Sequence, residues 1–155
     1  MHVIRFVHLI SVVVWIGSII FFSLFAAPSI FKVLPREVAG DVVGAIFPKY
    51  WMVGYVCSLV TIITLIALSV DEKTLPLLKI AILVVMTALT FYSGLAVGSK
   101  ARSIKAEIRA VETAEQKEPL TKRFKTLHRR SMMLNVIILL LGLFFVYLTA
   151  YHLRI

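Results

Sequence analysis

Long unbroken apolar stretches alternate along this chain with shorter polar ones, and none shows the every-other-residue rhythm of a half-buried strand. The apolar runs fall at about 3–31, 50–70, 75–98 and 131–152. About 20 apolar residues in a helix cross a hydrocarbon core. Only helices and closed barrels satisfy their own backbone polar groups there, and continuous runs do not fit the alternating pattern of barrel strands. The pattern predicts an all-α integral membrane protein: four transmembrane helices in one antiparallel bundle, a single domain over 1–155.

Two polar intervals carry patterns of their own. Between Pro35 and Pro48, the residues Val38, Ala39, Val42, Val43, Ile46 and Phe47 share one helical face, while Arg36, Glu37 and Asp41 take the other. Proline suits a helix start and disfavours its interior, so Pro35 and Pro48 bound a short interfacial helix in loop 1. Beyond the third run, Val97, Ala101, Ile104, Ile108 and Val111 keep a 4-3 spacing. So do Leu120, Phe124, Leu127, Ser131 and Leu134. Such seams extend helices 3 and 4 as a hairpin over about 99–130, turning between Thr113 and Pro119. Its charges, such as Lys105 and Glu107, read as a solvated face.

Composition agrees: 60% of residues are hydrophobic and the mean hydropathy is +0.95, outside the usage of soluble domains. The net charge of +9 and pI near 10.0 do not point to nucleic acid, because the basic residues adjoin membrane spans. Topology and anionic lipid account for them. Of the 17 lysines and arginines, all but Arg5, Lys73, Lys79 and Arg154 lie in loops 1 and 3. Those loops are therefore expected in the cytoplasm, with both termini on the outer, periplasmic face of the cell (inner) membrane. The first run is too long for a signal-peptide core and reads as a retained anchor. The lone Cys57 forms no internal disulfide and reads as a packing residue.

Ionisable groups inside a bilayer are costly and are functional candidates. His8 lies one to two turns below the outer surface, and Ser11, Trp15, Ser18 and Phe22 continue its helical face. The stripe reads either as a pocket wall or as a packed histidine bonded to a serine or a carbonyl. Lys79 enters the third helix at a similar depth, either snorkelling to the headgroups or flanking, with His8, one planar ligand. His152 and Met86 are rival second ligands. His128 lies about a bilayer's width from His8. With Arg129, Arg130 and Asn135 it reads as an anchor of the cytoplasmic hairpin or a headgroup-phosphate site. Thr61, Thr64, Thr87 and Thr90 are expected to bond carbonyls one turn back. Gly94 and Gly98 form a small-xxx-small pair for close helix approach, which makes a homodimer plausible; Gly17 and Ser18 read likewise. No nucleotide loop, zinc spacing, serine triad or paired intramembrane carboxylates occur.

The segment His8-Leu-Ile-Ser-Val-Val-Val-Trp15-Ile-Gly17, with Phe21-Phe22 and Ala27-Pro28-Ser-Ile-Phe31, resembles the TMEM205-like family, the DUF4149 domain. Ala39-Gly40, Ile46-Phe47-Pro48-Lys-Tyr50 and Leu127-His128-Arg-Arg-Ser131 through Asn135 fit the same family. The histidine-to-tryptophan opening and the lysine of helix three also resemble CopD-like copper proteins and HemJ-type oxidases. That wider resemblance implies haem b or a related tetrapyrrole near the outer face, in electron transfer. His8 would be axial ligand and metal ligand, with Lys79 or His152 opposite and Trp15 in the wall. The alternatives are a copper or small-solute binding or transport module built on the same stripe, and a non-catalytic subunit of a larger membrane complex.

Overall fold

The computed structural model describes the backbone of residues 1–152 and the side chains of residues 1–150. Every element in it is helical. Four helices are long and apolar enough to cross a membrane: α1 (His2–Val33), α2 (Arg36–Asp71), α3 (Leu77–Ala110) and α4, which spans Ala114–His152. Helix α1 packs on α2, α2 on α3 and α3 on α4, while α4 returns to α1, closing a four-helix ring.

The distribution of side chains is inverted relative to a soluble protein. His8, Ser11, Ser58, Thr61, Thr64, Thr90 and Ser93 are buried, whereas Val3, Phe6, Val13, Ile63, Leu95, Val136 and Leu140 face outward. Apolar exteriors of this extent mark a lipid-facing surface. Inside, Val12, Trp15, Ile16, Ile19, Leu65, Leu83, Met86, Ile138 and Phe145 form one core contributed by all four helices. Several of the buried hydroxyls satisfy themselves locally: Thr61 donates to the Cys57 carbonyl, Ser69 to Leu65 and Thr90 to Met86.

Loop 1 differs from the expectation. No separate interfacial helix forms, because Arg36–Asp71 is one helix with Pro48 inside it. Proline costs its own N–H bond and crowds the carbonyl four residues back, but here that residue is Gly44, which brings no side chain to the crowded turn. The apolar face read from the sequence is the first part of α2, and its Ala39 and Val43 are buried.

The α3–α4 connection is also tighter than expected. It occupies only residues 111–113, and Pro119 falls within α4 rather than in the turn. Val97, Ile104 and Ser131 are buried, and the other residues of the two stripes are half-buried. Two π-helical segments, Phe21–Ala26 in α1 and Tyr92–Gly98 in α3, were not foreseen. Pro28 stands just beyond the first, and Trp51 and Tyr55 press against the second where Gly94 and Gly98 leave room. Such widened turns often accompany functional sites.

Candidate functional site

His8 is buried, and its Nδ1 lies 2.9 Å from Thr64 Oγ1. Thr64 donates its own hydrogen to the Val60 carbonyl at 2.7 Å. Its oxygen is thereby left as an acceptor, so the imidazole carries its proton on Nδ1. The Phe145 ring meets the imidazole edge-on at 6.1 Å. The histidine is packed, and its side-chain partner is a threonine of α2 rather than the serine its stripe suggested. Thr64→Val removes the hydroxyl partner of Nδ1 and leaves the imidazole only the Thr61 backbone, which is expected to cost about 1 kcal/mol. Thermal unfolding in detergent should show that loss, and His8→Phe combined with Thr64→Val should recover much of it. Equal melting of Thr64→Val and wild type would remove the bond from consideration.

Lys79 is half-buried and makes no hydrogen bond or ion pair with His8; its charge acts on both His8 and Glu72, at the end of α2. Trp15 lies inside the bundle beside Gly54, away from the Lys79 end of α3. Met86 is packed against Gly142 in the core. The side chain of His152 lies outside the described residues. Among the described residues no three His, Cys, Asp or Glu side chains converge as metal ligands. Nothing among the described residues therefore supports haem b or copper at His8.

The structure instead assembles a groove of about 920 Å³ at the basic end, between the first turns of α2, the last turns of α3 and the first turns of α4. Its apolar lining is Phe31, Val43, Phe47, Trp51, Ile108 and Phe124. Its cations are Arg36, Arg102, Lys105, Arg109 and Lys125, set against the acidic pair Glu37 and Asp41. His128 stands on the same wall, its ring stacked on Phe124 at 6.2 Å. Asn135, grouped with it from the sequence, belongs elsewhere: it bonds Tyr50 and lines a small internal void.

Asp41 clamps the groove. Its carboxylate accepts from Lys105 at 2.7 Å and pairs with Arg109, while Lys105 also donates to the Gly40 carbonyl at 2.7 Å. The ammonium lies over Gly40 and Gly44, 3.5 and 3.6 Å from where their Cβ atoms would stand, an ordinary contact distance. The Lys105 hydrogen bond, aided by both positive charges, holds the Asp41 carboxyl below its ordinary range. The sign follows: the clamp contributes fully above the ordinary carboxylate pKa and is lost as pH falls through the lowered value. Asp41→Asn should accelerate amide exchange across Ser99–Ala110 at pH 7, whereas wild type should loosen only under more acidic conditions. Unchanged exchange in the variant would show that the clamp holds nothing.

Trp51 forms the floor. It is 6% exposed, stacks on Phe47 at 5.0 Å and lies beneath the Arg102 guanidinium at 5.1 Å. Its ring fills the space left by Gly94 and Gly98, so that glycine face is covered within the chain rather than presented to a second copy. From the sequence, Asp41 reads only as the polar face of a short helix and Lys105 as part of a solvated face, and neither reading brings the two together. For the floor, the available signal was the Gly94/Gly98 step, which admits one large ring. Gly17, by contrast, has nothing within 4 Å of its Cβ position and serves no close approach. Thr87 also departs from expectation, since its buried hydroxyl has no partner.

A family model described as "Domain of unknown function (DUF4149)" matches residues 10–110. An uncharacterised protein of Aquifex aeolicus (strain VF5) is 46% identical over 48 residues, which is 31% of this chain and 35% of that protein. The match thus spans little more than a third of that relative's length. No solved structure matches. These comparisons do not show the TMEM205-like, CopD-like or HemJ-type resemblance.

Proposed function

The chain belongs to the DUF4149 family, a domain of unknown function, and we propose that it is a multi-pass membrane module that binds an amphiphilic anion in the groove floored by Trp51. The carrying observation is the groove's mixed lining: an aromatic and aliphatic floor rimmed by five cations, two of which Asp41 already engages. Small-molecule sites combine a mostly apolar wall with a few placed polar groups in about 300–1,000 Å³. Arg36, Arg102 and Lys125 form no ion pair among the described residues, and of these Arg102, over the Trp51 floor, and Lys125, beside Phe124, are the two assigned here to an incoming anion.

The concentration of lysine and arginine in loops 1 and 3 puts this end of an antiparallel bundle in the cytoplasm of a cell membrane. Both termini then face outward, and the groove opens at the depth of the inner leaflet's headgroups. An amphiphile enters from that leaflet, with its apolar body against Phe47, Trp51 and Phe124 and its anionic head between Arg102 and Lys125. This is the small-solute reading moved from the His8 stripe to the opposite end of the bundle.

Calorimetry on the full chain in maltoside micelles tests it, with dodecyl phosphate and dodecyltrimethylammonium as matched probes. Saturable binding of the phosphate that weakens with salt, and none of the ammonium, is expected. Equal partitioning of both amphiphiles would overturn the proposal.

A further inference from the structure

Behind Trp51 lies an internal void of about 10 Å³, lined by Trp15, Trp51, Thr90, Ser93 and Asn135 among others. Two of its walls carry polar atoms without a partner: the Trp51 Nε1–H and the Ser93 hydroxyl, in side chains 6% and 1% exposed. Ser93 breaks the local rule. Ser11, Ser18, Ser58, Thr61, Thr64, Ser69, Thr90 and Thr149 each donate to a carbonyl three or four residues back. Ser93 stands on the π-helical segment Tyr92–Gly98, where the regular four-residue register is lost, and it makes no such bond.

We infer that one water molecule occupies this void, accepting from Trp51 Nε1–H and bonded to Ser93 Oγ. The volume matches a single water, and such a site needs two to four polar partners. An indole nitrogen only donates, whereas a hydroxyl donates or accepts, so a water satisfies both without moving either side chain. Thr90 lines the same void with its hydrogen spent on the Met86 carbonyl, so its oxygen can only accept and offers an end for one water hydrogen. The water tethers the indole through its edge while Phe47 and Arg102 hold its faces. It stands independently of any ligand in the groove.

The test is a water-selective cross-relaxation spectrum of the full chain in micelles, with the indole nitrogens labelled. Only two tryptophans are present, and Trp15→Phe assigns the Trp51 signal. The expected result is a cross peak between Trp51 Hε1 and a long-lived water, lost in Ser93→Ala. A folded wild type without that peak, or a peak indifferent to Ser93→Ala, overturns the inference. Should Ser93→Ala fail to fold, Ser93→Gly makes the same comparison.

Discussion

Gly98→Ala is expected to destabilise the protein by about 1–3 kcal/mol, the usual cost of overpacking a filled site. A Cβ there would overlap the far edge of the Trp51 ring, with two further ring atoms at 2.6 Å. The ring has nowhere to go. Phe47 lies on it, Arg102 covers it, and Gly94 already abuts it. Gly17→Ala is the matched control, because no atom lies within 4 Å of its Cβ position. Alanine is the better helix former by up to about 1 kcal/mol, so that variant should melt at or above the wild-type temperature. Opposite signs for the two substitutions, read by circular dichroism in one detergent, are the expected result. A Gly98→Ala protein as stable as wild type would mean that Trp51 is not seated on that turn.

The double substitution Arg102→Gln, Lys125→Gln is expected to weaken dodecyl phosphate binding about a hundredfold. A hydrogen bond to a charged group contributes roughly 1.5–3 kcal/mol, and about 1.4 kcal/mol is a factor of ten in Kd. Removing two such bonds from the bound anion accounts for at least two decades. Lys105→Gln and Arg109→Gln differ in kind, because those cations serve Asp41 and the Gly40 carbonyl. Their loss should appear mainly as a lower melting temperature. If the Arg102 and Lys125 pair can be neutralised without effect on Kd, the anion is held elsewhere.

The helical class and the number of helices long and apolar enough to cross a membrane were legible in the sequence, because both follow from run length and from the need of backbone groups for partners. The inward stripes on the extensions of α3 and α4 were legible for the same kind of reason. Two boundaries were not. Pro48 reads as a stop wherever its helix has a choice, yet apolar residues on both sides keep one helix packed against α3 through it. Pro119 likewise lies in a helix that starts earlier, at Ala114.

The site was harder to read. His8 attracted notice as an intramembrane ionisable group, but its partner Thr64 lies 56 residues away, and no local spacing reveals that bond. The groove depends on pairs such as Asp41 with Arg109, 68 residues apart, and on a tryptophan matched to glycines more than forty positions later. Periodicity shows which face of a helix turns inward. It does not show which face of which other helix it meets.

The most direct measurement of the groove's role uses Trp51 itself. In Trp15→Phe it is the lone indole, and a dodecyl phosphate brominated along its chain quenches a tryptophan only on close approach. Saturable quenching, reversed by unbrominated dodecyl phosphate and weakened in Arg102→Gln, is the predicted result. Emission that declines in proportion to added amphiphile, with no saturation and no competition, would contradict a binding site at this floor.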